Sequence, residues 1–205
     1  MPEDDKQRED QEPDKVEGSS VLKDGKLDGE VVTSDETGRI MQRANFKEGQ
    51  LDGETTVYDE SGAIAQKLTF KNGQLDGPMM IYNEGQVLAF VAHKDGKPEG
   101  ESLTYDEHGK VIYKAQYKSG KLNGKAVWYD KAGGVVKQSQ FVNGKLDGVT
   151  IEFYPNGKVQ TASQYKANKL NGEVVGYSPE GKVAERAFYK DGKPAPFPPL
   201  SAQRG

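Results

Sequence analysis

Short runs of alternating apolar and polar residues fill most of the chain, and glycines cut them at a fixed spacing. "FKEGQLDGETTVYDESG" (Phe46–Gly62), "FKNGQLDGPMMIYNEG" (Phe70–Gly85), "YKSGKLNGKAVWYDKAG" (Tyr117–Gly133) and "FVNGKLDGVTIEFYPNG" (Phe141–Gly157) are near copies of one another. Self-similarity at a period of this length marks a repeat architecture. Three glycine columns frame the unit. The first runs Gly25, Gly49, Gly73, Gly96, Gly120, Gly144, Asn168, Gly192. The second runs from Gly29 to Gly172, and the third from Gly38 to Gly181. The step is 24 residues except for one step of 23, whose missing residue falls between Gly77 and Gly85.

The pairs Asn72-Gly73, Asp95-Gly96 and Asn143-Gly144 predict two-residue hairpin turns, because both central positions need positive φ. Ala167-Asn168 is the exception, and asparagine is the best substitute for glycine in that conformation. The third column, as in Asp59-Glu60-Ser61-Gly62, predicts a longer type I turn. Two turns per unit leave two strands of about six to eight residues. Further columns support strands. Ile40, Ile64, Val87, Val111, Val135, Val159 and Val183 are all β-branched. Phe46, Phe70, His93, Tyr117, Phe141, Tyr165 and Tyr189 stand five residues before Leu51, Leu75, Pro98, Leu122, Leu146, Leu170 and Pro194, opposite them across the hairpin. Tyr58, Tyr82, Tyr105, Tyr129, Phe153 and Tyr177 form a last column. Strict alternation puts the leucine and tyrosine columns on opposite faces, and a bulge at the intervening glycine would reunite them. Both alternatives stand at this point.

The expected fold is all-β: an elongated, twisted, single-layer antiparallel sheet of consecutive hairpins. About seven units give about fourteen strands and a length of about 65 Å. Composition agrees. Only 34% of residues are hydrophobic and 29% are charged, too few apolar residues for one thick core but enough for units that pack on their neighbours. Residues 1–20 carry eight acids and three bases, read as a disordered acidic leader. The repeat domain is 21–194. The proline-rich tail, 195–205, is expected to blunt the last strand edge. The remainder after the leader is close to neutral, which argues against nucleic acid as a partner. No apolar run reaches 18 residues, so no transmembrane helix is expected. The absence of cysteine excludes thiolate chemistry.

The unit aromatic-x-x-Gly-Lys-Leu-Asp/Asn-Gly, then Tyr, then Asn/Asp-x-Gly-Lys-Val, resembles the MORN-type repeat. It is most similar to the bacterial variant in YwqK-family antitoxins, and the resemblance covers about Val21 to Pro194. It implies an elongated sheet of hairpins. It also implies partnership with, or neutralisation of, secreted or contact-delivered toxins, in members that include lipoproteins and periplasmic proteins. Relatives outside bacteria are linked to phospholipid binding and scaffolding. The resemblance leaves the compartment between periplasm, as a trimmed lipoprotein, and cytoplasm.

Candidate chemistry is sparse. His93 falls in the aromatic column and His108 in a turn, and neither has a nucleophile or carboxylate partner fixed by the sequence. The aspartate turns offer two or three oxygens where calcium needs six to eight. No enzyme, metal site or cofactor is expected. Binding positions are sought where a residue breaks its column. Trp128 stands where other units carry Thr33, Val57 or Glu152. Phe90 stands where others carry Arg43, Lys67, Lys114 or Arg186, and Met79 and Met80 form an adaptable apolar pair. Together they are expected to make one apolar patch mid-ribbon. The expected function is a non-catalytic protein-binding repeat protein, an antitoxin or immunity protein that covers a cognate toxin with a sheet face. The alternative is a membrane- or envelope-associated scaffold. The chain is expected to be a monomer or an edge-paired dimer.

Overall fold

The computed structural model describes residues 15–17 and 21–199. Among the described residues eighteen strands form one antiparallel sheet. They are β1 (Lys15–Glu17), β2 (Val21–Lys23), β3 (Lys26–Ser34), β4 (Ile40–Lys47), β5 (Gln50–Tyr58), β6 (Ile64–Lys71), β7 (Gln74–Asn83), β8 (Gln86–Lys94) and β9 (Lys97–Tyr105). Then follow β10 (Val111–Lys118), β11 (Lys121–Leu122), β12 (Gly124–Tyr129), β13 (Val135–Val142), β14 (Lys145–Phe153), β15 (Val159–Lys166), β16 (Lys169–Tyr177), β17 (Val183–Lys190) and β18 (Lys193–Ala195). Each strand from β3 to β17 pairs with its neighbours in sequence. β11 and β12 share one row beside β10, so β3 to β17 make fourteen rows, the number the repeat predicts. β1 and β2 both pair with β3 at one end, and β18 pairs with β17 at the other. Three residues of the expected leader, Lys15–Glu17, are therefore sheet. The rest of it, and residues 200–205 of the tail, lie outside the described residues.

The hairpin turns follow the dihedral demands of their residues. Asn72 and Gly73 have φ of 48° and 77°, and the exceptional Ala167 and Asn168 have 48° and 71°. The longer turns close with an N–H from the third glycine, as from Gly62 to the Asp59 carbonyl at 3.0 Å. The short unit differs here. Glu84-Gly85 adopts positive φ at both positions and joins the paired residues Asn83 and Gln86, so the missing residue converts a longer turn into a two-residue one.

The second glycine column resolves the question of faces. In β5, Asp52, Gly53 and Glu54 lie opposite Asn45 alone, because Ala44 pairs with Thr55 and Phe46 with Leu51. Two extra residues leave the alternation in phase, so the leucine and tyrosine columns sit on opposite faces. We call these the leucine face and the ion-pair face. Gly148 shows why glycine is needed at this kink: its φ is 120°, and a Cβ there would lie 2.9 Å from Cβ of Gln140.

Units are linked along both long sides of the ribbon. On one side, each hairpin-turn N–H donates to the carbonyl of the previous unit's leucine-column residue. Gly73 does so to Leu51 at 2.8 Å, Gly120 to Pro98 at 2.9 Å and Asn168 to Leu146 at 2.9 Å. Pro98 keeps its carbonyl and so leaves this link intact. The aspartate of Leu-Asp-Gly adds to the joint: Asp52 and Asp147 accept the N–H of Asn72 and Ala167. On the other side, the ammonium groups of Lys110 and Lys158 donate to the carbonyls of Lys131 and Glu180 in the next turn, each at 3.0 Å.

The most buried side chains are small. One row crosses the whole leucine face: Val31, Ala44, Thr55, Leu68, Met79, Val91, Ser102, Ala115, Ala126, Ser139, Thr150, Ser163, Val174, Ala187. Ala44, Ala115, Ala126 and Ser139 are almost fully covered, and the Thr150 hydroxyl donates to that of Ser139 at 3.0 Å. With no second layer, burial comes from larger neighbours in the same sheet, and only short side chains sink beneath them.

Candidate interaction surface

The ion-pair face is built from two repeated pairings. Each tyrosine-column residue faces the β-branched residue across the longer turn, as in Tyr58 with Ile64 and Tyr105 with Val111. Beside them a row of side chains crosses the ribbon: Val32, Arg43, Thr56, Lys67, Met80, Phe90, Leu103, Lys114, Val127, Gln138, Ile151, Ala162, Val175, Arg186. Basic residues of this row reach glutamates on the neighbouring strand. Arg43 pairs with Glu30 at 3.2 Å, Lys67 with Glu54 at 3.3 Å and Arg186 with Glu173 at 3.3 Å, while Lys114 is bonded to Glu101. The Glu101 carboxylate pushes the pKa of Lys114 up. The stems of these side chains cover Val32, Thr56 and Val127, which are buried.

The series lapses in two later units, where Lys125 with Gln138 and Val149 with Ala162 stand in its place, and the short unit breaks it with larger apolar groups. Pro78 stands where Glu54 and Glu101 stand in the units either side, and Phe90 stands where Lys67 and Lys114 stand. Met80 pairs directly with Phe90, and Phe90 with Leu103. Three half-buried apolar side chains therefore lie abreast on β7, β8 and β9, with Lys67 on one flank and Lys114 on the other. The Tyr82 hydroxyl rests 3.3 Å from the Met80 sulfur. Met80, Val87, Phe90 and Tyr105 line an open groove of about 470 Å3, with His108 at its rim.

The four positions singled out by sequence do not form one patch. Met80 and Phe90 are together on the ion-pair face. Met79 and Trp128 point to the leucine face, Met79 in β7 and Trp128 in β12. Odd and even neighbours on a strand cannot share a face, so the adjacent methionines are split. Trp128 has its own surroundings. Its ring lies 5.0 Å from that of Tyr113 at 47°, the Lys137 ammonium sits 5.6 Å from it, and Lys137 reaches Glu152 at 3.4 Å. Burial pushes the pKa of Tyr113 up. Leu103 was not singled out by sequence, since a leucine in a strand carries no signal until its cross-strand partner is known.

His93 takes its place in the aromatic column, with its Nδ1 3.1 Å from the Val91 carbonyl. His108 is exposed, with Nε2 3.7 Å from the Glu107 carboxylate. Among the described residues no three His, Asp or Glu side chains gather as a metal site, and no helix is long and apolar enough to cross a membrane.

Four segments, residues 51–72, 98–119, 146–167 and 170–191, match the family described as MORN repeat variant. Each runs from the leucine column to the next hairpin turn. Together they cover 88 of the 205 residues, and the likeness to that family is a likeness of these four segments. The units between them share the same strand pairing in the structure. No curated protein matches the chain. One solved structure that resembles it is a mutant of S. aureus TarM in complex with Fondaparinux, alpha-GlcNAc-glycerol and UDP. It is 16% identical, the match covers 49% of this chain and 19% of that one, and the TM-score is 0.35. A likeness that slight carries no argument.

Proposed function

We propose that this chain is a non-catalytic binding protein of the antitoxin or immunity type, which covers the working surface of a toxin with its ion-pair face. The reading rests on one observation: the row of ion pairs is replaced by Met80, Phe90 and Leu103 in the middle of the ribbon. Ion pairs on a sheet surface contribute little and are held by water as well as by each other. A desolvated aromatic flanked by aliphatics is the kind of group that anchors a protein interface. Lys67 and Lys114, already paired, supply a polar rim.

Affinity capture from the source cells, with wild type, Phe90→Lys and Trp128→Ala as baits, identifies the partner. The partner's own activity is then measured with the protein in molar excess. Wild type and Trp128→Ala are expected to block it, and Phe90→Lys to release it. A partner that stays fully active beside excess wild-type protein overturns the immunity reading. Retention of anionic lipid in place of a protein moves the function to a membrane scaffold.

A further inference from the structure

β17, the last full strand of the sheet, has a ladder on one side only. Toward β16 it pairs from Val183 to Tyr189. On its other side β18 covers Phe188–Lys190 and stops. Among the described residues no strand pairs there with Val183–Ala187, and the stretch from Val183 to Arg186 is exposed. The equivalent strand inside the sheet shows what belongs in that place. In β15, Thr161, Ala162 and Ser163 pair on the corresponding side with Gly176, Val175 and Val174. The chain's next residues cannot supply such a strand. One repeat step places Pro196 at the position of Gly172 and Pro198 at that of Val174, and proline has no N–H to donate. Phe197 instead packs on Phe188, with ring centroids 5.9 Å apart.

We propose that the outer edge of β17, Val183–Ala187, is a second binding site, which takes an extended strand from a partner protein by antiparallel backbone pairing. Addition of a strand to an open edge draws affinity from main-chain bonds and specificity from alternate side chains. The register names those side chains. Glu185 ends the row that holds Trp128, Lys137 and Glu152. Within that row Lys137 and Glu152 already form a cross-strand ion pair at 3.4 Å. Among the described residues Glu185 has no cation, whereas Arg186 holds Glu173. The incoming strand therefore carries a basic residue opposite Glu185 and a small or β-branched residue opposite Ala187, as Val174 is to Ser163.

A second copy of the chain fits this edge badly. Two-fold antiparallel pairing sets residues of equal parity against each other. Centred on Glu185 it opposes two glutamates, centred on Arg186 it opposes two arginines, and centred on Ala184 it opposes Arg186 to Lys182. Like charges placed directly opposite are destabilising, and such charges are a common guard against edge self-association.

The test uses the full chain and a peptide of the β16 sequence, Lys169–Tyr177. Amide hydrogen exchange is read at Val183–Ala187. With peptide at ten times its dissociation constant the alternate amides of this stretch that face away from β16 are expected to exchange roughly tenfold more slowly, with no change in β7–β9. A peptide carrying Gly176→Lys binds more tightly than one carrying Gly176→Glu, and Glu185→Lys in the protein reverses that order. A peptide N-methylated over residues 173–176 gives no protection. The proposal is overturned if no peptide protects the edge, or if protection ignores both N-methylation and the charge swap. It is also overturned if the protein alone forms a dimer that protects the same amides.

Discussion

At the scale of single residues, the repeat is held by positions whose chemistry is almost entirely backbone chemistry. The second-column glycines turn the strand through a conformation closed to side chains, and they do so against a neighbour. Gly148→Ala meets both obstacles, with φ of 120° and Gln140 in the way, whereas Gly62→Ala meets a φ of 83° and open space. Gly148→Ala is expected to cost about 1–3 kcal/mol, and more than Gly62→Ala, by urea unfolding. The aspartates that open the longer turns act through hydrogen bonds. The Thr37 hydroxyl, then the backbone N–H of Arg39 and its side chain, hold the Asp35 carboxyl down from 3.8 to about 2. The Ser61 hydroxyl lowers Asp59, and the Lys110 N–H lowers Asp106. A carboxyl held lower in the folded chain than in the unfolded one favours folding while it is ionised in both. The contribution of Asp35 is complete above pH 3.8 and fades as pH falls through about 2. Unfolding midpoints measured across that window are expected to fall in wild type, and less steeply in Asp35→Asn.

At the scale of the element, the short unit is a hairpin that kept its pairing and changed its surface. Pro78→Glu with Phe90→Lys rewrites it in the pattern of its neighbours. That double variant is expected to fold with a stability within about 1 kcal/mol of wild type, because the ion pair it gains is exposed. It is also expected to lose its partner in the capture experiment. Much of this element was legible in the sequence. The hairpin turns, the fourteen rows and the position of the shortened turn follow from where Gly, Asn and Asp permit positive φ. The faces were not legible, since they depend on whether the kink at Gly53 adds one residue or two, and a glycine permits either. The buried row was not legible for a different reason. Val31, Ala44, Thr55 and Ser139 share size rather than chemistry, so no residue type marks the column. Consequently the one patch expected of Met79, Met80, Phe90 and Trp128 is divided between two faces, with Met80 beside Phe90 on one and Met79 and Trp128 on the other.

At the scale of the whole molecule, the sheet is thin. Sixteen rows, the fourteen plus an edge row at each end, span about 75 Å along the ribbon. X-ray scattering is expected to give a radius of gyration above about 17 Å, the value for a compact chain of this length. Stability in such a ribbon is a sum over units and the joints between them. The joints are nearly identical: one turn N–H on one leucine-column carbonyl, Pro98 included, repeated from Gly49 to Gly192. A break at any of them leaves two surfaces that match every other break. Whole units can therefore be duplicated or deleted, and the ends rejoin without a single new contact having to be invented. The length of the ribbon is thus free to change in steps of one unit, and a variant unit such as the one bearing Phe90 can be moved along it like a bead on a string.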